Sequence, residues 1–105
     1  MNEIEDFIEG FKKKHKYELE DTFLNGYCYW FTIMLIKRFR GEIWFNEYTC
    51  HFAAYINGDL YDISGKLPSK DGWTTWEKFQ LEHHYEAVQI ERYIVRKEKK
   101  PDDYT

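Results

Sequence analysis

The chain is poor in the residues that mark irregular or cross-linked proteins. Its 105 residues include two prolines, six glycines and two cysteines. So little proline and glycine, together with 43% hydrophobic residues, excludes a low-complexity or disordered chain. Two cysteines are too few for the disulfide framework of a small secreted protein, so we expect reduced thiols and a cytoplasmic location.

Features that would direct the chain to a membrane or to nucleic acid are also absent. No apolar run approaches 18 residues, and the acidic start Met1–Asp6 lacks the basic residues of a signal peptide. The 19 acidic and 15 basic residues give a net charge of −4, whereas nucleic-acid binders usually carry a strong basic excess. We therefore predict neither a membrane partner nor a direct nucleic-acid partner.

Motifs for cofactors and metal ions are missing as well. The sequence contains no glycine-rich phosphate loop. Cys50-His51 and His83-His84 could be imagined as a zinc site, but their spacing matches no closed set of zinc ligands. Solvent-exposed histidines near a helix start explain the second pair better. We therefore predict no cofactor and no metal.

Aromatic residues, in contrast, make up 20% of the chain. In so short a protein some of these rings must lie near the surface, in a groove or at a partner interface. A chain of this length can bury one core, so we predict a single domain over residues 1–97. The charged residues 98–105 are expected to form a flexible tail.

Hydrophobic periodicity predicts helices first and strands afterwards. Two helices are expected, at 2–15 and at about 26–39. From Glu42 the period changes to two, which predicts a first strand there and two more at Cys50–Ile56 and Asp59–Ile63. This order predicts an α+β fold in which N-terminal helices pack on a small antiparallel sheet.

The second half of the chain is less regular. We expect a polar loop at 66–72, followed by a short helix capped by Thr74 or Thr75. The segment 83–97 fits neither the helical nor the strand pattern well. Its structure therefore stays open at this point.

The dipeptide Asn57-Gly58 predicts a tight hairpin turn, because both residues tolerate positive φ. The turn sets a register in which Ala53 faces Asp62 and in which His51 and Asp62 project from one side of the sheet. These two residues are then diagonal neighbours, about 7–8 Å apart between backbones, within reach of a hydrogen bond. The opposite side carries an apolar set suited to packing: Cys50, Phe52, Ala54, Ile56, Tyr61 and Ile63.

Cys28, His51 and Asp62 are the residue types of a thiol-based catalytic triad. A thiol at the start of a helix feels the positive end of the helix dipole, which favours the reactive thiolate. A nearby histidine would stabilise that thiolate and deliver a proton, and a carboxylate would orient the ring. Backbone N–H groups around Cys28 and the amide of Asn25, the expected N-cap, are candidate oxyanion donors.

A purely structural interpretation of the same residues stays open. Cysteine is often buried and simply packs, and a half-buried histidine often only bonds a backbone carbonyl. Aspartate is depleted in strands, however, so its presence at position 62, between Tyr61 and Ile63, is unexpected. A hydrogen bond with His51 would explain it.

The stretch from Asn25 to Ser64 resembles the papain-like cysteine core, especially its transglutaminase-like branch. The likeness lies in Asn25–Phe31, in His51-Phe52 and in Gly58–Ser64. It implies a helix headed by the nucleophile Cys28, packed on a sheet that carries His51 as general base and acid and Asp62 as the orienting residue. The glutamine that papain-like proteases place before the cysteine has no counterpart, and only Asn25 can stand in for it.

That family's domains are usually larger, so few residues remain here to wall a cleft, among them Trp73 and Trp76. The whole sequence is also similar to small proteins encoded by phages and mobile elements of low-GC Gram-positive bacteria. This similarity implies a bacterial host cell as the setting.

Two functions from different classes follow as hypotheses. The first is a small thiol enzyme that hydrolyses an amide or isopeptide bond of a protein or peptide, or transfers its acyl group, through a thioester on Cys28. The second is an accessory protein that binds and inhibits a host protein such as a defence nuclease, in the manner of an anti-CRISPR protein. In that case the cysteine fold would be a scaffold without catalytic activity.

Overall fold

The computed structural model describes residues 2–15 and 28–97, which form four helices and a five-stranded antiparallel sheet. In chain order the elements are α1 (Glu3–His15), α2 (Cys28–Phe39), β1 (Glu42–Asn46), β2 (His51–Ile56), β3 (Asp59–Asp62), β4 (Gly65–Lys66), β5 (Trp73–Thr75), α3 (Trp76–Glu82) and α4 (His84–Lys97). The predicted α+β class is confirmed. Within the described ranges, every helix is too short or too polar to cross a bilayer.

Helix α1 follows the amphipathic pattern that predicted it. Ile4, Ile8 and Phe11 lie on one stripe and are all buried. The side chain of Asn2 caps the first turn by accepting a hydrogen bond from the backbone N–H of Glu5 at 2.8 Å. One face of α1 is therefore buried in the core.

Helix α2 is the helix that carries the predicted nucleophile. Its residues Cys28, Phe31 and Leu35 are buried, as is Thr32, whose hydroxyl donates a hydrogen bond to the carbonyl of Cys28 at 2.8 Å. The chain leaves the helix through Arg40, which takes a positive φ of 63°. The predicted helix end is thus confirmed, while the predicted start at 26 lies outside the described residues.

The strands follow the order β4-β3-β2-β1-β5. Asn57 and Gly58 take φ angles of 52° and 89° and join β2 to β3 by the predicted two-residue turn. Tyr55 lies opposite Leu60 and Ala54 opposite Tyr61, which is the register that the turn predicts. The local chemistry of one turn therefore sets the geometry of the β2–β3 hairpin.

Two apolar clusters hold the helices against the sheet. The first lies between α1, α2 and the β2–β3 hairpin, and the second lies between the start of α2, strands β1 and β2, and the two C-terminal helices. The second cluster contains Cys28, Phe45, Phe52, Trp76, Phe79, Ala87 and Ile94. The start of α2 is therefore packed against both the sheet and the C-terminal helices.

The prediction that Cys50 begins the second strand and faces the apolar side is wrong. Cys50 is exposed, takes a φ of 53° and ends the turn that joins β1 to β2. The side chain of Asn46 organises this turn by accepting hydrogen bonds from the backbone N–H groups of Tyr48 and Thr49 at 3.0 and 3.3 Å. Strand β2 consequently begins one residue later, at His51.

The C-terminal half contains two strands and a helix that were not predicted from the sequence. Lys66 belongs to β4 rather than to the predicted loop, and Trp73–Thr75 forms β5, which pairs with β1. Thr75 caps α3 as expected, since its hydroxyl accepts a hydrogen bond from the backbone N–H of Lys78 at 3.1 Å. The open segment 83–97 is helical from His84 onward, while the predicted tail at 98–105 lies outside the described residues.

Candidate functional site

The site begins with Cys28, the first residue of α2. Its side chain belongs to the second apolar cluster, and the residue is 8% exposed. A thiol at this position lies at the positive end of the helix dipole. The sequence predicted Cys28 near the start of a helix from about residue 26, and the described part of that helix begins at Cys28.

The β2–β3 hairpin brings His51 and Asp62 into direct contact. Nε2 of His51 lies 2.9 Å from Oδ2 of Asp62, and both side chains are largely buried. His51 opens β2 and Asp62 closes β3, so the register of the Asn57-Gly58 turn places them as diagonal neighbours. The predicted pairing of these two residues is thus seen in the geometry.

Ser64 fixes the carboxylate from the other side, a contact that the sequence analysis did not assign. Its backbone N–H donates a hydrogen bond to Oδ1 of Asp62 at 2.8 Å, and its hydroxyl donates a second hydrogen bond to the same oxygen. An aspartate that bonds the backbone N–H two residues later forms a common turn, so Asp62 followed by Ser64 was the available signal. Both oxygens of Asp62 are therefore engaged, one by His51 and one by Ser64.

In the pair of His51 and Asp62, the effect of hydrogen bonds and charges on the pKa values outweighs the effect of burial. Burial alone would lower the pKa of His51, but hydrogen bonds to Asp62 and to Cys28, together with the charges of both groups, raise it to about 9. Burial would raise the pKa of Asp62, but the hydrogen bonds from His51 and Ser64 lower it below its usual value. At neutral pH the pair is an imidazolium and a carboxylate.

The His51 ring thus connects the thiol to the carboxylate. Nε2 of the ring contacts Asp62, and a hydrogen bond with Cys28 is a further cause of the raised pKa of His51. This arrangement holds one imidazole between a sulfur and an acid, each from a different element of the fold. Chemically, such a ring can stabilise a thiolate and can transfer a proton to or from a group bound beside the sulfur.

An open cleft of about 410 Å³ lies on the side of His51 and Asp62. Its lining includes Asn46, His51, Asp62, Leu67, Asp71 and Trp73, and we call it the His51 cleft. Trp73 stands edge-on to the ring of His51, with the ring centroids 5.9 Å apart. A volume of this size is in the range of small-molecule and peptide-side-chain sites.

Not every residue expected at the cleft is found there. Trp73 lines the cleft, whereas Cys28 and Trp76 are 8% and 6% exposed, belong to the apolar core and are not part of the cleft lining. Asn25, the candidate oxyanion donor, lies outside the described residues, and its role stays a prediction. Among the residues described, no group of three or more His, Cys, Asp or Glu side chains is arranged to hold a metal ion.

Comparison with known proteins places the chain in a described family. A family model described as "Phage YunG-like protein" matches residues 2–95. This range is most of the chain and includes Cys28, His51 and Asp62. Comparison with curated proteins and with solved structures gave no match.

Proposed function

The chain belongs to the Phage YunG-like protein family, and we propose that it is a small phage-type thiol enzyme that acts on amide or isopeptide bonds. In this proposal Cys28 is the nucleophile, His51 the general acid and base, and Asp62 the residue that orients the ring. The expected substrate is a protein or a peptide. The fold on which this chemistry would run is the minimal papain-like, transglutaminase-like arrangement that the sequence resembles.

The observation that carries the proposal is the contact between the His51 ring and the carboxylate of Asp62, and the influence of Cys28 on the pKa of that ring supports it. A largely buried ion pair adds little to stability compared with apolar residues of the same size, so a structural role alone explains it poorly. Ionisable groups with strongly shifted pKa values beside a cleft are instead typical of functional sites. Ser64 adds to this interpretation, because it holds Asp62 in the one position that serves His51.

In the first step the Cys28 thiolate would attack the carbonyl carbon of the bound amide, and the electron pair of the C=O bond would move to the oxygen. As the intermediate collapses, the C–N bond breaks and the imidazolium of His51 gives its proton to the departing nitrogen. The products of this step are a free amine, a thioester on Cys28 and a neutral His51.

In the second step the thioester would be released by water or by a primary amine. His51 would take a proton from the attacking molecule while the C–S bond breaks and its electron pair returns to sulfur. The outcome is hydrolysis when water attacks and acyl transfer when an amine attacks. In either case the thiolate–imidazolium pair is restored.

The test is the alkylation of Cys28 by iodoacetamide near pH 7, followed by peptide mass spectrometry. The variant Cys50→Ser leaves Cys28 as the sole thiol of the 105 residues and serves as the reference. We expect rapid modification of Cys28 in this variant and a rate at least about tenfold lower when His51→Ala is added. A Cys28 that reacts only in denaturant, or at the same rate without His51, would contradict the proposal.

A second candidate function is the binding and inhibition of a host protein, and exposed apolar side chains favour it. Leu81 on α3 and Tyr85 on α4 are 79% and 75% exposed, and large apolar side chains of this kind could contribute to a protein interface. Under this alternative, Cys28→Ala would leave the biological effect unchanged, whereas Leu81→Ser and Tyr85→Ser would abolish it. An effect lost with Cys28→Ala in a folded protein would exclude the scaffold interpretation.

A further inference from the structure

The charge of the His51 cleft comes from one carboxylate that has no partner in the described residues. Asp62 also lines the cleft, but both of its oxygens are engaged by His51 and Ser64. Asp71 is exposed, and its carboxylate forms no ion pair with any residue of 2–15 or 28–97. Asp71 is therefore the acid of the cleft that can receive a charge from outside.

The cation nearest to Asp71 in sequence is held elsewhere. Lys70 donates a hydrogen bond from Nζ to the carbonyl of Gly58 at 2.8 Å, and its ammonium lies 5.7 Å from the centre of the Tyr55 ring. Lys70 is not part of the cleft lining, and no other lysine or arginine among the described residues lines it. In the cleft lining the charges of His51 and Asp62 are paired with each other, so Asp71 is the charged residue of the lining that is left without an opposite charge beside it.

The rest of the wall suits a long side chain with an apolar stem. Leu67 and Trp73 supply apolar and aromatic surface, and Trp73 stands against the His51 ring. Tyr48, which is 80% exposed, lies beside Gly72, the residue between the cleft-lining Asp71 and Trp73. Lysine and arginine carry an apolar stem and a charged end, and the charged end is attracted both by carboxylates and by the faces of aromatic rings.

We propose that the His51 cleft selects substrates that carry a lysine or arginine side chain next to the reacting carbonyl, with Asp71 receiving the positive charge and Trp73 the apolar stem. This inference rests on the proposed function, because it names the substrate class of the same site. It makes the enzyme selective for basic segments of proteins.

The test uses two electrophiles that share a four-carbon side chain and differ in its terminal ammonium group, the chloromethyl ketones of Nα-acetyl-lysine and Nα-acetyl-norleucine. Their reaction with Cys28 is followed by intact-protein mass spectrometry at low salt in the Cys50→Ser background. We expect the lysine compound to react faster, and Asp71→Asn to reduce its advantage by between about threefold and tenfold. Trp73→Ala should slow both compounds alike, because the two share the same stem.

Asp59→Asn is the matched control for Asp71→Asn. Asp59 pairs with Lys66 at 3.6 Å and does not line the cleft, so this variant changes the net charge by the same amount at another place. It should leave the ratio of the two rates unchanged. Equal effects of Asp59→Asn and Asp71→Asn would overturn the inference, since they would reflect only the overall charge.

Iodoacetamide separates failure of this inference from failure of the proposed function. If Cys28 reacts rapidly with iodoacetamide but equally fast with both chloromethyl ketones, the cationic specificity is wrong and the thiol chemistry stands. If Cys28 reacts with none of the three reagents in the folded protein, the proposed function fails and the inference fails with it.

Discussion

Replacing Asp62 with Asn removes the negative charge beside His51 while keeping the size of the side chain. In the wild-type protein the hydrogen bonds and charges of Asp62 and Cys28 outweigh burial and raise the pKa of His51 from 6.5 to about 9. Without the carboxylate, less opposes the effect of burial, which lowers the pKa of His51. That pKa should therefore fall from about 9 toward its ordinary value. The change therefore tests whether Asp62 controls the charge of the ring.

The size of the effect follows from the shift itself. At 1.36 kcal/mol per unit, a shift from 6.5 to about 9 corresponds to about 3 kcal/mol of stability contributed by the contacts of the protonated ring. Because the folded pKa is the higher one, this contribution is complete below pH 6.5 and is lost as the pH rises through 9. Asp62→Asn should therefore lower the free energy of unfolding most near pH 6, and its curve should approach that of the wild type above pH 9.

Two measurements check this prediction. NMR titration of the imidazole gives the pKa of His51, and urea unfolding at a series of pH values gives the free energy. Asp59→Asn serves as the control, because the partly exposed pair of Asp59 and Lys66 should contribute less than about 1 kcal/mol. A wild-type His51 that titrates near 6.5, or an Asp62→Asn effect that does not depend on pH between 6 and 9, would refute the reasoning.

Three further substitutions, two of them with a control variant, test the contacts around the site and the fold that positions it. Ser64→Ala should raise the pKa of Asp62, because a hydrogen bond to its carboxylate is lost, and should cost about 1 kcal/mol by urea unfolding. Thr75→Ala should cost about 1 kcal/mol through loss of the α3 cap, whereas Thr75→Ser should keep it. Gly41→Ala should cost about 1–3 kcal/mol in a thermal or urea melt, because its Cβ would collide with a carbonyl of β2. Gly10→Ala, a helical position with open space, should instead be neutral or stabilising by up to about 1 kcal/mol. A destabilising Gly10→Ala, or a harmless Gly41→Ala, would contradict this description of the packing.

The part of the site that could be predicted depends on local chemistry. Asn57-Gly58 allows one tight turn, that turn sets one register, and the register brings His51 next to Asp62. The apolar stripe of α2 likewise predicts a buried helix with the thiol of Cys28 near its start. Each of these inferences needs only residues that are close together in the chain.

The parts that were missed depend on contacts between distant residues. Strand β5 pairs with β1 across a long stretch of chain, so three residues from Trp73 carry no pattern of their own. Helix α4 buries Ala87 and Ile94 but leaves Tyr85 exposed, and so narrow an apolar stripe is hard to recognise. The turn before β2 was missed for a related reason, because Cys50 looks apolar although the backbone there takes a positive φ.

The residues that line the His51 cleft are likewise brought together by contacts between distant parts of the chain. Asp71 lies in the polar loop and Trp73 follows it, and the pairing of β5 with β1 holds the end of that loop beside His51. The sequence named Trp73 as a residue that could line a groove, but it contained no signal for Asp71. Substrate preference is therefore the property of this site that was least accessible before the fold was known.

The distance between Sγ of Cys28 and Nδ1 of His51 tests the central claim most directly. It can be measured in a crystal structure of the reduced protein grown near pH 7. We predict a separation of about 3–4 Å with Nε2 of the same ring on Asp62. A sulfur more than about 5 Å from the ring, or a ring turned away from the thiol, would contradict the assignment of Cys28 as a nucleophile activated by His51.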